Sequence, residues 1–558
     1  MPSALQLLGL SVGASVLLGR YASSYSLGFF TTTAVLFALQ FVIYQAWLIV
    51  VYPRFFSPIR HVPTPPNGGL FMGQTRKILK AASGIPMREW TESIPNDGLI
   101  RYSVWFRERL LITNPKALAE VLVTKNYDFT KPPHFRSVLG RILGVGILLA
   151  EGEEHKTQRK NLMPAFAYRH IKDLYPVFWG KSRELAQCLS TASKVAPPSD
   201  RKDNANQDPE KLAVEHAPGV IEVGGWSSRA TLDIIGVSGV GQDFHALQDP
   251  ENKLNHTYQS IFRNPGRAGF ILQILGNFLP FWFLKRVPIK RNVIMNEGSS
   301  YIKQVCRDLI SQKRKAMVKK ERTEVDIISV ALESGGFTDE DLVNQMMTFL
   351  VAGHETTSTA MIWALYALCK HPEVQAKLRE EVRSKLPSLD EDVSAADIDN
   401  CHYLHAVCSE VLRLWSPVSL TLRVADKDTS INGQFVPKGM TIILCPYAVN
   451  TSTHLWGADA LDFKPERWLD ADGKSNNKGS ADSNYSFLTF LHGPRSCIGQ
   501  KFAQAEFACL LAAWVGRFET TFEEGSKLAT DEPPEIKGGI TQKPKDGLWV
   551  NLKELEGW

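Results

Sequence analysis

Cys497 stands in a short loop with Phe490, Gly493, Arg495 and Gly499, and an apolar helical repeat begins directly behind it. A thiolate is a metal ligand, and this setting suits a buried iron: the glycines clear room for a flat cofactor and the arginine offers a counter-charge. From Gln500 to Gly516 apolar residues recur at helical spacing, so free amides and the positive end of a helix dipole point toward the sulfur. Hydrogen bonds from such amides keep a sulfur ligand anionic and tune the metal it holds. The plainer reading is a free buried cysteine in a glycine turn, the commoner fate of a lone cysteine.

Other chemistry-bearing residues lie upstream. Gly353, Glu355, Thr356 and Thr357 interrupt an apolar stretch over residues 342–368. Glycine inside a helix costs about 1 kcal/mol relative to alanine. A helix opened locally over a flat cofactor, admitting a small gas molecule, gives Gly353 a reason. An acid beside a hydroxyl organises water and passes protons; a polar patch bonding back to helix carbonyls is the competing reading. Glu410 and Arg413 share a helix face and can form an ion pair, while Arg467 follows Pro465 just ahead of the cysteine loop. His155 and Arg159 lie one turn apart, and Arg423 sits in a short apolar run after Pro417.

The pattern from Phe490 to Gly499 resembles the haem-ligand loop of cytochromes P-450, and the other motifs occur in that family's order over about residues 68–550. The resemblance implies a mainly α fold with a small β portion, one large helical haem domain behind an N-terminal transmembrane anchor. Cys497 would be the axial ligand of haem b (iron protoporphyrin IX), with Phe490 and Gly493 beside it. Arg495, Arg159 and Arg423 would face the propionates, and His155 stands where the family often has tryptophan. Glu355 and Thr356 would assist cleavage of the O–O bond. Glu410, Arg413 and Arg467 would form a buried structural triad.

The activity so implied is a monooxygenase that inserts one oxygen atom from dioxygen into a hydrophobic small molecule. Electrons would come from a separate NADPH-cytochrome reductase, with cytochrome b5 as a further donor, because no flavin or nicotinamide domain is visible. The segment 227–236 looks like one frequent in fungal members, which favours a terpenoid or polyketide intermediate of secondary metabolism over fatty-acid hydroxylation. A haem-thiolate isomerase or dehydratase working without dioxygen is the rival; such relatives often lack the threonine or have an altered loop, and both are intact here. A haem-based sensor would have little use for Glu355 and Thr356.

The whole chain bounds these readings. Its 558 residues are 44% hydrophobic, ample for a large core, and a formal charge of +5 gives no case for nucleic acid. Eight cysteines are scattered without a disulfide framework, which favours a reducing compartment. Residues 27–52 form an uncharged apolar run longer than the roughly 20 residues that span a bilayer. Arg54 and Arg60 follow it among Pro53, Pro58, Pro63, Pro65 and Pro66, which are expected to break any helix. The positive flank points the following domain to the cytosol, and the resemblance implies the endoplasmic reticulum membrane. Residues 1–60 therefore read as anchor and proline-rich hinge, and 61–558 as the haem domain.

Within these limits, 4–18 is a second span, an interfacial helix or a signal-like core. The polar stretch 193–214 reads as a disordered loop. The aromatic segment 270–283 reads equally as a lipid-dipping surface or as core. Mostly apolar stretches at 135–149, 262–270, 349–357, 418–422 and 538–541 are the candidate substrate contacts.

Overall fold

The computed structural model describes residues 4–21, 28–105, 107–195, 216–262, 286–287, 289–319, 326–537 and 539–558. Residues 196–214 of the expected loop, the segment 270–283 and most of the candidate contact stretch 262–270 lie outside these described residues.

Helices dominate, as the resemblance implied, and one of them organises the rest. The helix Asp339–Lys370 has 32 residues, about 48 Å of rise. Thr338 and Asp341 start it with a reciprocal capping box, and His371 followed by Pro372 stops it. Its side chains from Leu342 to Leu368 are almost all buried, so packing on every side holds it. Val223–Ile235, Lys290–Val318 and Gln500–Arg517 pack around it.

Gly353 belongs to this packing. A Cβ there would come within 2.8 Å of the Ile235 side chain, and the helix runs unbroken through it. The expectation of a locally opened helix is corrected: the glycine permits close approach of a neighbouring helix.

A five-stranded sheet runs in the order Leu99–Val104, Arg107–Ile112, Thr441–Leu444, Thr421–Ala425, Phe129–Thr130. Arg423 pairs with Ile442 in that register, one strand away from Phe129. A smaller sheet joins Val220–Glu222, Trp549–Glu554 and Phe518–Phe522. Ile536–Lys537 and Lys543–Pro544 make a hairpin near the C-terminus.

At the other end, the helix Ala4–Tyr21 packs on Phe29–Ala46, with Ser15 Oγ donating to the Phe29 carbonyl at 3.1 Å. Among the described residues, Phe29–Phe56 is the one helix long and apolar enough to cross a membrane: it has 28 residues, and an 18-residue stretch of it has a mean hydropathy of 2.2. Pro53 does not break it, contrary to expectation, because its last part, Trp47–Phe56, adopts the wider π-helical turn. In that geometry the proline ring no longer meets the carbonyl four residues back. The helix stops at Ser57, which donates to Glu108 at 2.8 Å, and Ile59 is fully buried, so the chain joins the body of the protein there.

Candidate active site

The cysteine loop is shaped by one glycine and one hydrogen bond. Gly493 has φ 76°, and a Cβ on it would lie 2.2 Å from the Leu122 carbonyl oxygen, so no larger residue fits. The Cys497 amide donates to the Phe490 carbonyl at 2.8 Å and closes the turn. Phe490 itself packs edge-on against Phe487. Burial pushes the Cys497 thiol up, while the Gly499 amide and the Arg159 guanidinium pull it back without cancelling the rise. Arg159 is held by Ser496, donating to its carbonyl at 2.8 Å and its hydroxyl at 3.3 Å. Cys497 keeps accessible surface as a residue although it lies deep in the fold.

Ala352 is the exposed residue in the mostly buried stretch 342–368 of the central helix, and Thr356, one turn on, is half-buried. Thr356 Oγ1 donates to the Ala352 carbonyl at 2.8 Å, the back-bonded arrangement that the plainer sequence reading described. The loop 144–150 presses on the same helix a turn earlier: a Cβ on Gly146 would meet Thr348 Oγ1 at 2.4 Å. Ile147 donates to Gln345 at 2.8 Å. Phe349 is buried edge-on against Phe166.

Glu355 has partners of its own. Its Oε1 accepts from Thr541 Oγ1 at 2.7 Å and pairs with Lys543 Nζ at 2.9 Å. Burial pushes this carboxyl up, but Lys543, then His354 and Thr541, outweigh it and hold it below the usual range. The acid is thus turned to the C-terminal hairpin and the hydroxyl of Thr356 to its own helix.

The cations expected at the cofactor's edge do converge, with additional members. His155 is buried with its Nδ1 3.3 Å from Tyr127 OH. Burial, then Lys131, Arg495, Arg159 and Arg423, push its pKa down to about 4, so it is neutral. Arg423 is buried and lowered to about 10 by burial and by Arg495. Lys131 is lowered to about 7, chiefly by burial and then by Arg423. Arg495 donates to the Phe129 carbonyl at 2.5 Å, lies over the Tyr127 ring at 4.9 Å and pairs with Glu151. Arg495 Nη2 and Glu151 Oε2 are the two atoms of that ion pair, and Arg495 Nε is buried without a hydrogen-bond partner. Four cations against one carboxylate make a site for an anion. Sequence reasoning missed Lys131, Tyr127 and Glu151; only Glu151, at the mouth of an acidic helix start, carried any local signal.

Farther out, Glu410 and Arg413 meet through two hydrogen bonds of 2.7 and 2.8 Å, and neither side chain is exposed. Arg467 Nε lies 3.4 Å from Glu410 Oε1, and Trp468 Nε1 donates to Glu410 Oε2 at 2.9 Å. Arg413 also donates to the carbonyls of Asn450 at 2.8 Å and Ala460 at 2.6 Å. The three charged residues thereby tie the helix His402–Leu414 to the stretch leading into the cysteine loop.

Comparison with known proteins bears on this geometry directly. The family model described as Cytochrome P450 matches residues 97–550. The chain is 48% identical over 531 residues to Cytochrome P450 monooxygenase sphH of Aspergillus fumigatus, covering 93% of this chain and 92% of that one. It is 40% identical over 560 residues to Cytochrome P450 monooxygenase ALT8 of Alternaria alternata, covering 92% and 93%. Cytochrome P450 monooxygenase FUM15 of Gibberella moniliformis is 40% identical over 603 aligned residues, 99% of this chain and 97% of that one. Similarity of this extent, across the residues that build the site, means that the chain belongs to the cytochrome P450 family and is an oxidoreductase of its monooxygenase class.

Proposed function

We propose that this monooxygenase holds haem b through Cys497 and inserts one oxygen atom from dioxygen into a hydrophobic small molecule, a terpenoid or polyketide intermediate of fungal secondary metabolism. The observation that carries the reading is Cys497 itself, accessible although deep in the fold, with the Gly499 amide and the charge of Arg159 both favouring its thiolate. The fungal origin of the relatives named above agrees with the resemblance of residues 227–236 to fungal members.

The residues present fit the cofactor. Two propionates would offer an acceptor to the partnerless Arg495 Nε and would offset the repulsion among Lys131, Arg159, Arg423 and Arg495. Neutral His155 remains a hydrogen-bonding group on that edge. Bound haem supplies the activation of dioxygen, and thiolate ligation favours splitting its O–O bond. The protein's part is to keep the sulfur anionic, orient an apolar substrate and meter protons. Glu355 takes up a proton on its carboxylate, and Thr356 Oγ1, leaving the Ala352 carbonyl, passes it to the interior face. Glu410, Arg413 and Arg467 hold the scaffold.

Electrons come from a separate NADPH-cytochrome reductase, with cytochrome b5 as a further donor. Residues 1–60 anchor the protein in the endoplasmic reticulum membrane through the apolar helix, and Arg54 and Arg60 keep the haem domain, 61–558, in the cytosol.

Purified holoenzyme screened against terpenoids and polyketides should show substrate-induced shifts in its haem spectrum. With reductase and NADPH, a compound that shifts the spectrum should gain one oxygen. Thr356→Ala should divert electrons into peroxide. Product formed equally well without dioxygen would overturn the reading in favour of an isomerase.

A further inference from the structure

Glu355 is not free to exchange protons, and the residue that restrains it is far away in sequence. Lys543 Nζ lies 2.9 Å from its Oε1, and Thr541 donates to the same oxygen. Both partners come from the C-terminal hairpin, whose position is set by three contacts at Gln542. Its amide donates to the Pro417 carbonyl at 3.2 Å, its carbonyl accepts from Trp363 Nε1 at 2.8 Å, and its side chain donates to the Ser83 carbonyl at 2.7 Å. Ile540, beside Thr541, is exposed. The lysine keeps a foot in solvent, with 28% of its side chain accessible against 16% for Glu355.

The other titratable groups around the carboxylate do not substitute for Lys543. His354 Nε2 is 4.0 Å from Glu355 Oε2, at the limit of an ion pair, and this imidazole is buried, with its Nδ1 2.6 Å from the Leu350 carbonyl and its pKa lowered by burial. Glu222, at the start of Val223–Ile235, is spent on the amides of Gly224 and Gly225 and draws on the same lysine. Lys543 is therefore the one full positive charge bonded to Glu355 among the described residues.

We propose that Lys543 is a positioning residue for the proton chemistry of Glu355: it fixes the carboxylate against the hairpin and in its charged form, so that proton delivery requires this pair to part. The inference rests on the proton role proposed above for Glu355. Because a carboxylate held in its charged form by an opposite charge is a poor proton acceptor, it takes up a proton when the lysine withdraws and releases it when the lysine returns, so the hairpin becomes the element that times delivery.

Full-length holoprotein is compared as wild type, K543Q, K543R, K545Q and E355Q. The carboxylic-acid C=O stretch of Glu355, identified in the infrared by its loss in E355Q, is followed with pH. In K543Q it should appear about one pH unit or more above its position in wild type, the size expected for removing an opposite charge in contact. K543R should restore the wild-type position. K545Q removes a neighbouring cation that pairs with Glu535 instead and should leave it unmoved. Coincident titrations in wild type and K543Q overturn the proposal. A second measurement separates this from failure of the Glu355 reading: NADPH-driven dioxygen consumption with reductase, in light and heavy water. E355Q should change the solvent isotope effect; if it does not, the proton role of Glu355 falls and the positioning role of Lys543 falls with it.

Discussion

Arg413 Nη2 lies 2.7 Å from Glu410 Oε1, and neither side chain has any exposed surface. An ion pair of the same spacing on a helix surface contributes a few tenths of a kcal/mol. Buried, it becomes a joint whose partners cannot be separated cheaply, because the survivor would be an uncompensated charge.

Glu410→Ala should therefore destabilise the protein by roughly 3–5 kcal/mol. Arg413→Lys should fail almost as badly, since an ammonium cannot reproduce the fork that serves Glu410, Asn450 and Ala460 together. Denaturant midpoints and the yield of haem-loaded protein check this. Wild-type stability in Arg413→Lys would show that charge alone suffices.

The cation cluster makes a separate prediction about cofactor retention. Arg495→Leu should weaken haem binding by about 1.5–3 kcal/mol, the net worth of hydrogen bonds to a charged group. Lys131→Ala should weaken it less, because that ammonium is already lowered to about 7 by burial and by Arg423. The rate of haem transfer to a scavenger protein measures both. Equal rates in all three proteins would remove the cluster from cofactor binding.

Glu506 gives a test of stability against pH. It is fully buried on the cysteine helix with Thr357 as its one polar influence, and burial outweighs that hydroxyl and raises its pKa well above the usual range. A carboxyl raised on folding contributes fully below its unfolded pKa and loses that contribution as pH climbs toward the folded value. Glu506→Gln, which cannot ionise, should match wild type near pH 4 and gain on it steadily toward pH 8. Denaturant midpoints at the two pH values decide it, and a constant difference would mean that Glu506 is ionised in the fold.

Deleting residues 1–52 should release the protein from membranes and leave cofactor binding intact. The cut spares the Arg101 bond to the Pro53 carbonyl and the Ser57 bond to Glu108. Sedimentation with vesicles reads the outcome. A truncated protein that still pellets would locate the main membrane contact elsewhere on the body.

These predictions draw unequally on what the sequence revealed. The cysteine loop was legible because its chemistry is local: sulfur, glycines and helix start fall within ten residues. The Glu410–Arg413 pair was legible from its spacing, but its burial came only from the family resemblance, since the same spacing occurs on exposed helices. Lys131, Glu151 and Lys543 were hidden because their partners lie far along the chain; Thr541 and Glu355 are 186 residues apart. Gly353 was misread for the same reason, as nothing near it announces Ile235. Pro53 misled because its usual effect presumes an α-helical turn, and the turn here is wider.

The reduced protein exposed to carbon monoxide tests the thiolate assignment most directly. Wild type should give the strongly red-shifted absorption of a sulfur-ligated haem carbonyl, and Cys497→Ala should lose it. A wild-type band at the position of a histidine-ligated haem, or a sulfur-type band that survives in Cys497→Ala, would contradict it.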